Sequence, residues 1–202
     1  MPGAESPLQT LRRFGLTPQK GLGQHFLVDR AAAEQIVRAA LEVQPDGVIE
    51  IGPGLGILTR LLAASGLPVV AIERDEAMRG PLGELQAHFP NLTVQYEDVL
   101  ATDLSALTAL GRRAVIGNLP YQITSPLLEK LLTTTPQPLT IVITVQKEVG
   151  ERLAARPGTR QYGALTLLAD LYAPQPEVIR ELAPGAFHPA PKVRSLVLRF
   201  TP

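Results

Sequence analysis

The sequence predicts an α/β fold: a seven-stranded, mostly parallel sheet with one antiparallel edge hairpin and helices on both faces. Three observations predict it. From residue 29 onward, short apolar runs alternate with stretches of helical periodicity, the pattern of successive strand–helix units. Most of the runs are largely apolar, as expected of strands buried on both faces. The last two runs, "PEVIREL" and "VRSLVLRF", are separated only by the loop "APGAFHPAPK", and so short a connection favours an antiparallel pair.

Each element has a local reason. The first 28 residues are rich in Gly, Pro and Gln and read as irregular. Asp29 is placed to cap a helix over "RAAAEQIVRAALEV", with Ile36, Val37, Ala40 and Leu41 at helical spacing. "GVIEIGPGLG" is a strand running into glycines, and "ILTRLLAAS" a helix that Gly66 stops. "PVVAIERD" is a second buried strand. Asp75 opens a helical segment, broken near Gly80-Pro81 and reaching about Phe89. "LTVQYED", "RRAVIGN" and "LTIVITVQ" are the third to fifth strands, with helices over "LSALTAL", "SPLLEKLLTT" and "KEVGERLAA". "RPGTRQYG" is a loop and "ALTLLADLY" a helix. No repeat or internal linker divides the chain, so residues 29–202 read as one domain, preceded by a segment 1–28.

Composition narrows the function. The 202 residues are 45% hydrophobic, enough for a sizeable core. No apolar run reaches membrane-spanning length, and "MPGAESPLQTLRRFG" lacks the apolar core of a signal peptide; a cytoplasmic protein is expected. With no cysteine, zinc–thiolate sites and cysteine nucleophiles are excluded. The three histidines have no ligand-like spacing, so no metal is expected. Net charge is zero, but residues 1–40 carry +2, 41–140 carry −5 and 141–202 carry +3. The whole chain therefore gives no electrostatic case for nucleic acid, while both ends leave room for local basic surfaces.

In doubly wound sheets, ligands bind at the carboxyl ends of the strands, and four ends here are chemically loaded. Gly52, Gly54 and Gly56 in "EIGPGLG" allow close backbone approach to a ligand. Their G-x-G-x-G spacing differs from the dinucleotide fingerprint. Glu73 in "AIERD" can accept from both hydroxyls of a ribose. Asp98 in "YEDVL" can accept from an adenine amino group, or serve as a turn acid. Together these describe an adenosine-containing cofactor, without separating S-adenosylmethionine from a nicotinamide.

The fourth end is "GNLPYQITSP". An exocyclic amine on a base is a poor nucleophile because its lone pair is delocalised into the ring. The Asn118 side-chain oxygen and the Leu119 carbonyl can accept from its two N–H groups and aim the lone pair at a methyl donor. Pro120 restricts the backbone there, and Tyr121 offers a stacking face for a base out of its helical stack. No strong general base is needed, because the methylated amine sheds its proton readily.

These residues carry a resemblance. "NLPY" is similar to the [N/D/S]-P-P-Y type motif of amino-methyltransferases. "KGLGQHFLVD", "EIGPGLGILT", "NLPYQITSPLL" and "FHPAPKVRSLVLRF" resemble, in the same order, the KsgA-type small-subunit ribosomal RNA adenine N6,N6-dimethyltransferases, from about residue 19 to 200. The resemblance implies a Rossmann-like S-adenosylmethionine-dependent methyltransferase domain, covered in part by residues 1–28. It implies cofactor contacts at His25, Leu27, Gly52, Gly54, Glu73, Asp98 and Asn118. The target adenine is expected near Asn118, Leu119, Pro120 and Tyr121, with Phe187 opposite Tyr121, and Lys192 and Arg194 near RNA phosphate. Histidine stands at position 25 where the family has Asn. The sequence ends at "RFTP", where the family's small helical domain is expected to begin.

The implied partner is small-subunit rRNA in an immature 30S subunit, acted on by a monomer. Three alternatives remain open from sequence: a resistance-type methyltransferase of large-subunit rRNA, a ribosome-assembly binding factor, and a nicotinamide-dependent oxidoreductase. "NLPYQITSP" and the G-x-G-x-G spacing count against the first and last.

Overall fold

The computed structural model describes residues 5–119 and 123–202. The predicted sheet is present, built by alternation. Strand β2 (Gly47–Ile51) leads through helix α3 (Ile57–Ala63) to β3 (Val69–Glu73). Helix α4 (Arg79–His88) leads to β4 (Leu92–Tyr96), and α5 (Leu104–Thr108) to β5 (Arg113–Asn118). Helix α6 (Thr124–Thr133) then leads to β6 (Thr140–Gln146), followed by α7 (Lys147–Leu153) and α8 (Ala164–Tyr172). The chain closes with β7 (Glu177–Leu182) and β9 (Ser195–Phe200). Spatial order is β4-β3-β2-β5-β6-β9-β7. The first five strands are parallel, while β9 runs antiparallel between β6 and β7. The order reverses between β2 and β5, which meet in register at Ile51 and Gly117; that is where a doubly wound sheet leaves its crevice.

Two apolar layers cover the sheet. One packs Ala33, Ile36, Leu62 and Leu82 from α2 (Arg30–Leu41), α3 and α4 against Val48, Ala71 and Ile116. The other packs Leu104, Leu128, Leu131 and Leu153 against Ile49, Val115 and Ile143. Strand β2 is buried along its whole length, as its apolar sequence predicts. Helix α2 begins where its cap predicts, with Asp29 Oδ1 accepting from the Ala32 amide at 3.0 Å.

Three expectations need correction. The first 28 residues are not irregular: Pro7–Arg13 form α1 and Phe26–Leu27 form β1. Ser6 and Gln9 make a reciprocal capping box with Pro7 just inside it, a start signal present in "SPLQ". Arg13 ties α1 to Glu84 on α4 at 2.6 Å. The helix after Asp75 is not broken at Gly80-Pro81. A tight 3-10 turn, Glu76–Met78, runs into α4, and Pro81 falls in that helix's first turn, where its missing N–H costs no bond. Finally, the loop before β9 contains β8 (Phe187–His188), which pairs antiparallel with β1.

Candidate active site

The crevice has a floor made by strand ends. At the end of β2 the backbone turns through Gly52 and Gly54 at φ 66 and 53, a left-handed path that favours glycine. A side chain at Gly54 would stand 2.9 Å from the Phe26 ring. The Gly54 amide donates to Glu73 Oε2 at 2.9 Å, and the Asp75 amide to Glu73 Oε1 at 2.8 Å. Glu73 is buried at the end of β3. Burial pushes its carboxyl upward, while those amides pull it back.

Residues 19–27 form a cover over that floor. Gln24 Nε2 donates to Asp75 Oδ2 at 2.6 Å, and the Gln19 amide donates to Gln24 Oε1 at 2.8 Å. His25 Nδ1 lies 2.6 Å from the Pro189 carbonyl. A carbonyl can only accept, so Nδ1 carries the proton. Asn118 Nδ2 donates to the His25 carbonyl at 2.8 Å, which orients the amide and leaves Oδ1 as the acceptor at that position. Phe26 and Leu27 are buried and pair with His188 and Phe187.

Two adjoining clefts lie between floor and cover. The first, about 710 Å³, is lined by His25, Leu27, Gly52, Gly54, Glu73, Asn118 and Leu119. The second, about 640 Å³, shares Gln24, Gly52 and Glu73 with it and is lined by Asp98. The crevice thus collects every sequence-predicted cofactor residue. Asp98 also serves its own turn, accepting from the Leu100 amide at 2.9 Å, with Arg74 at 3.5 Å from its other oxygen. Pro120 and Tyr121 lie outside the described residues. Phe187 lines neither cleft; it is 4% exposed and packs in the core opposite Leu27. Lys192 is exposed, while Arg194 is paired with Glu181.

Sequence reasoning missed Glu50. This residue lines the first cleft at 1% exposure, and its Oε2 has no hydrogen-bond partner. Burial pushes its carboxyl up to about 8, helped by repulsion from Glu73 and opposed by Thr59. An acid inside the otherwise apolar "GVIEI" was the available signal. Also missed were Gln24 and Lys130, whose roles depend on contacts across 51 and 28–30 residues. Among the described residues no helix is long and apolar enough to cross a membrane.

With this geometry in place, the chain matches the family model described as Ribosomal RNA adenine dimethylase over residues 15–202. It belongs to that family. This dimethylase-family chain is 42% identical over 202 residues to Ribosomal RNA small subunit methyltransferase A of Desulfitobacterium hafniense, covering 99% of the chain and 71% of that relative. The crystal structure of a dimethyladenosine transferase from Plasmodium falciparum superposes with TM-score 0.76 at 29% identity, covering 88% of this chain and 63% of that one. The 23S rRNA methyltransferase ErmE superposes with TM-score 0.73, also at 29% identity, covering 87% and 69%. The chain thus spans about two thirds of the length of these relatives. Its sheet is the Rossmann-like sheet of the methyltransferases.

Proposed function

We propose that this protein transfers methyl groups from S-adenosylmethionine to the N6 amines of two adjacent adenines near the 3′ end of small-subunit rRNA, giving N6,N6-dimethyladenosine. One observation carries the reading: the glycine turn, Glu73, Asp98 and Asn118 converge on two adjoining clefts at the strand-order reversal. Those groups fit the cofactor. Glu73 has lone pairs left for ribose hydroxyls, Asp98 can accept from an amino group, and Glu50, which lines the first cleft, has an unpartnered oxygen. When bound, the cofactor supplies an electrophilic methyl group.

The chain's own groups do the positioning. Asn118, its nitrogen committed to the His25 carbonyl, turns Oδ1 toward one N–H of the target amine. In the first transfer the Leu119 carbonyl takes the other, and in the second, when the methylated amine has one N–H left, a single acceptor holds it; each time the nitrogen lone pair is directed along the line of displacement. Pro120 and Tyr121 extend this arrangement by fixing the turn and stacking the base. Phe187, buried on β8 opposite Leu27, is the aromatic expected to complete the stack. His25 and Leu27, in the segment 1–28, act as part of the cofactor cover. The new methylammonium loses its proton to solvent.

The small-subunit reading is favoured over the large-subunit one by relatives. The Desulfitobacterium hafniense protein named for small-subunit methylation is 42% identical, against 29% for ErmE. The enzyme is expected to work as a monomer on the immature 30S subunit in the cytoplasm. Tritiated methyl transfer to small subunits that lack the modification tests it. Label in N6,N6-dimethyladenosine of small-subunit rRNA is the expected result. Label only in large-subunit rRNA, or none in adenine, overturns it.

A further inference from the structure

Helix α6 follows the reaction loop, and its Lys130 reaches away from that loop. Lys130 Nζ donates to the Leu100 carbonyl at 2.7 Å and to the Thr102 carbonyl at 2.6 Å. Lysine ammonium groups usually extend into water; this one is half-buried and committed to main chain. Both carbonyls belong to the turn that Asp98 opens. The Asp98 carbonyl accepts from the Ala101 and Thr102 amides at 2.8 and 3.1 Å, and its Oδ1 accepts from the Leu100 amide. The direction of the Asp98 carboxylate is therefore set by this turn. The turn is anchored to the body by buried Val99 and by Lys130.

We propose that Lys130 is a positioning residue that fixes the Asp98 turn against α6 and so sets how strictly the second cleft reads a purine amino group. The inference rests on the reading of Asp98 as the acceptor for that amine. Two charge-assisted bonds hold the carbonyls. Without them the turn relaxes by the few tenths of an ångström that misalign an acceptor.

The test compares binding of S-adenosylhomocysteine with that of S-inosylhomocysteine, whose 6-oxo group accepts where the amine donates. Calorimetry gives the preference ratio for the wild type, Lys130→Met, Asp98→Ala and the double variant. The expected result is a ratio about tenfold lower in Lys130→Met. It is equally low in Asp98→Ala, with no further fall in the double variant. If Asp98→Ala collapses the ratio but Lys130→Met weakens both ligands equally, the proposal is overturned and the Asp98 reading stands. If Asp98→Ala leaves the ratio intact, that reading fails and the proposal with it. Lys130→Gln, which keeps a neutral donor, carries the same measurement should Lys130→Met not fold.

Discussion

The floor and the cover of the crevice are held by different physics. The floor is continuous with the core: Glu50 and Glu73 stand on strands whose neighbours are almost wholly buried. The cover is fastened by a few polar contacts, Gln24 to Asp75, His25 to Pro189 and Asn118 to His25, plus the buried Phe26 and Leu27. Opening the floor therefore means unfolding the domain, whereas the cover can open locally. Within the floor, the two glutamates differ again. Glu73 has an amide on each oxygen, and Glu50 leaves Oε2 without a partner. One acid is satisfied by the protein; the other waits for a partner and is expensive until it has one.

The sharpest way to break the comparison is at Asn118, which belongs to the floor by position and to the cover by its bond to His25. Asn118→Ala is expected to lower the methyl-transfer rate by about 10³-fold and to speed hydrogen exchange at residues 19–27. A single-turnover assay with exchange mass spectrometry checks both. A rate within a few fold of wild type breaks the assignment.

Glu50 sharpens the floor. Its carboxyl rises from an ordinary 4.5 to about 8 in the folded state. Between those values the unfolded chain releases a proton that the folded chain keeps, so stability falls as pH rises through the window and levels off above it. The total is on the order of 5 kcal/mol. Glu50→Gln is expected to remove this slope, making the variant more stable relative to wild type at pH 8 than at pH 5 in urea unfolding. A wild-type curve without the slope shows that Glu50 is already ionised.

The smallest effect belongs to the cover alone. Gln24→Ala removes the 2.6 Å bond to Asp75 and is expected to cost about 1 kcal/mol of local opening energy. Limited proteolysis near residues 19–24 should quicken while the global unfolding midpoint stays nearly fixed.

The sheet and its crevice were legible because strands and glycine turns declare themselves locally: "GVIEIGPGLG" and "PVVAIERD" carry both the strand and the site residues at its end. The helix at Pro7–Arg13 was legible too, through Ser6, Pro7 and Gln9, although the surrounding glycines and prolines mask that signal. The β1–β8 ladder was not, because two-residue strands have no periodicity and pair across most of the chain. Lys130 was hidden because its partners, the Leu100 and Thr102 carbonyls, are main-chain groups 30 and 28 residues away. Phe187 was singled out by its motif, but a motif records which residue stands there and not which way its ring is packed. Glu50 sat in plain view, an acid in an otherwise apolar strand.

The β1–β8 pairing also sets an order of events at birth. A chain leaves the ribosome N-terminus first, so the strands of the floor are all made by residue 118. The partners of the cover, Phe187, His188 and Pro189, are made only after β6, α7, α8 and β7 have followed. A nascent chain thus has the floor of its crevice long before it has a roof over it, and the crevice closes only once Pro189 has been made.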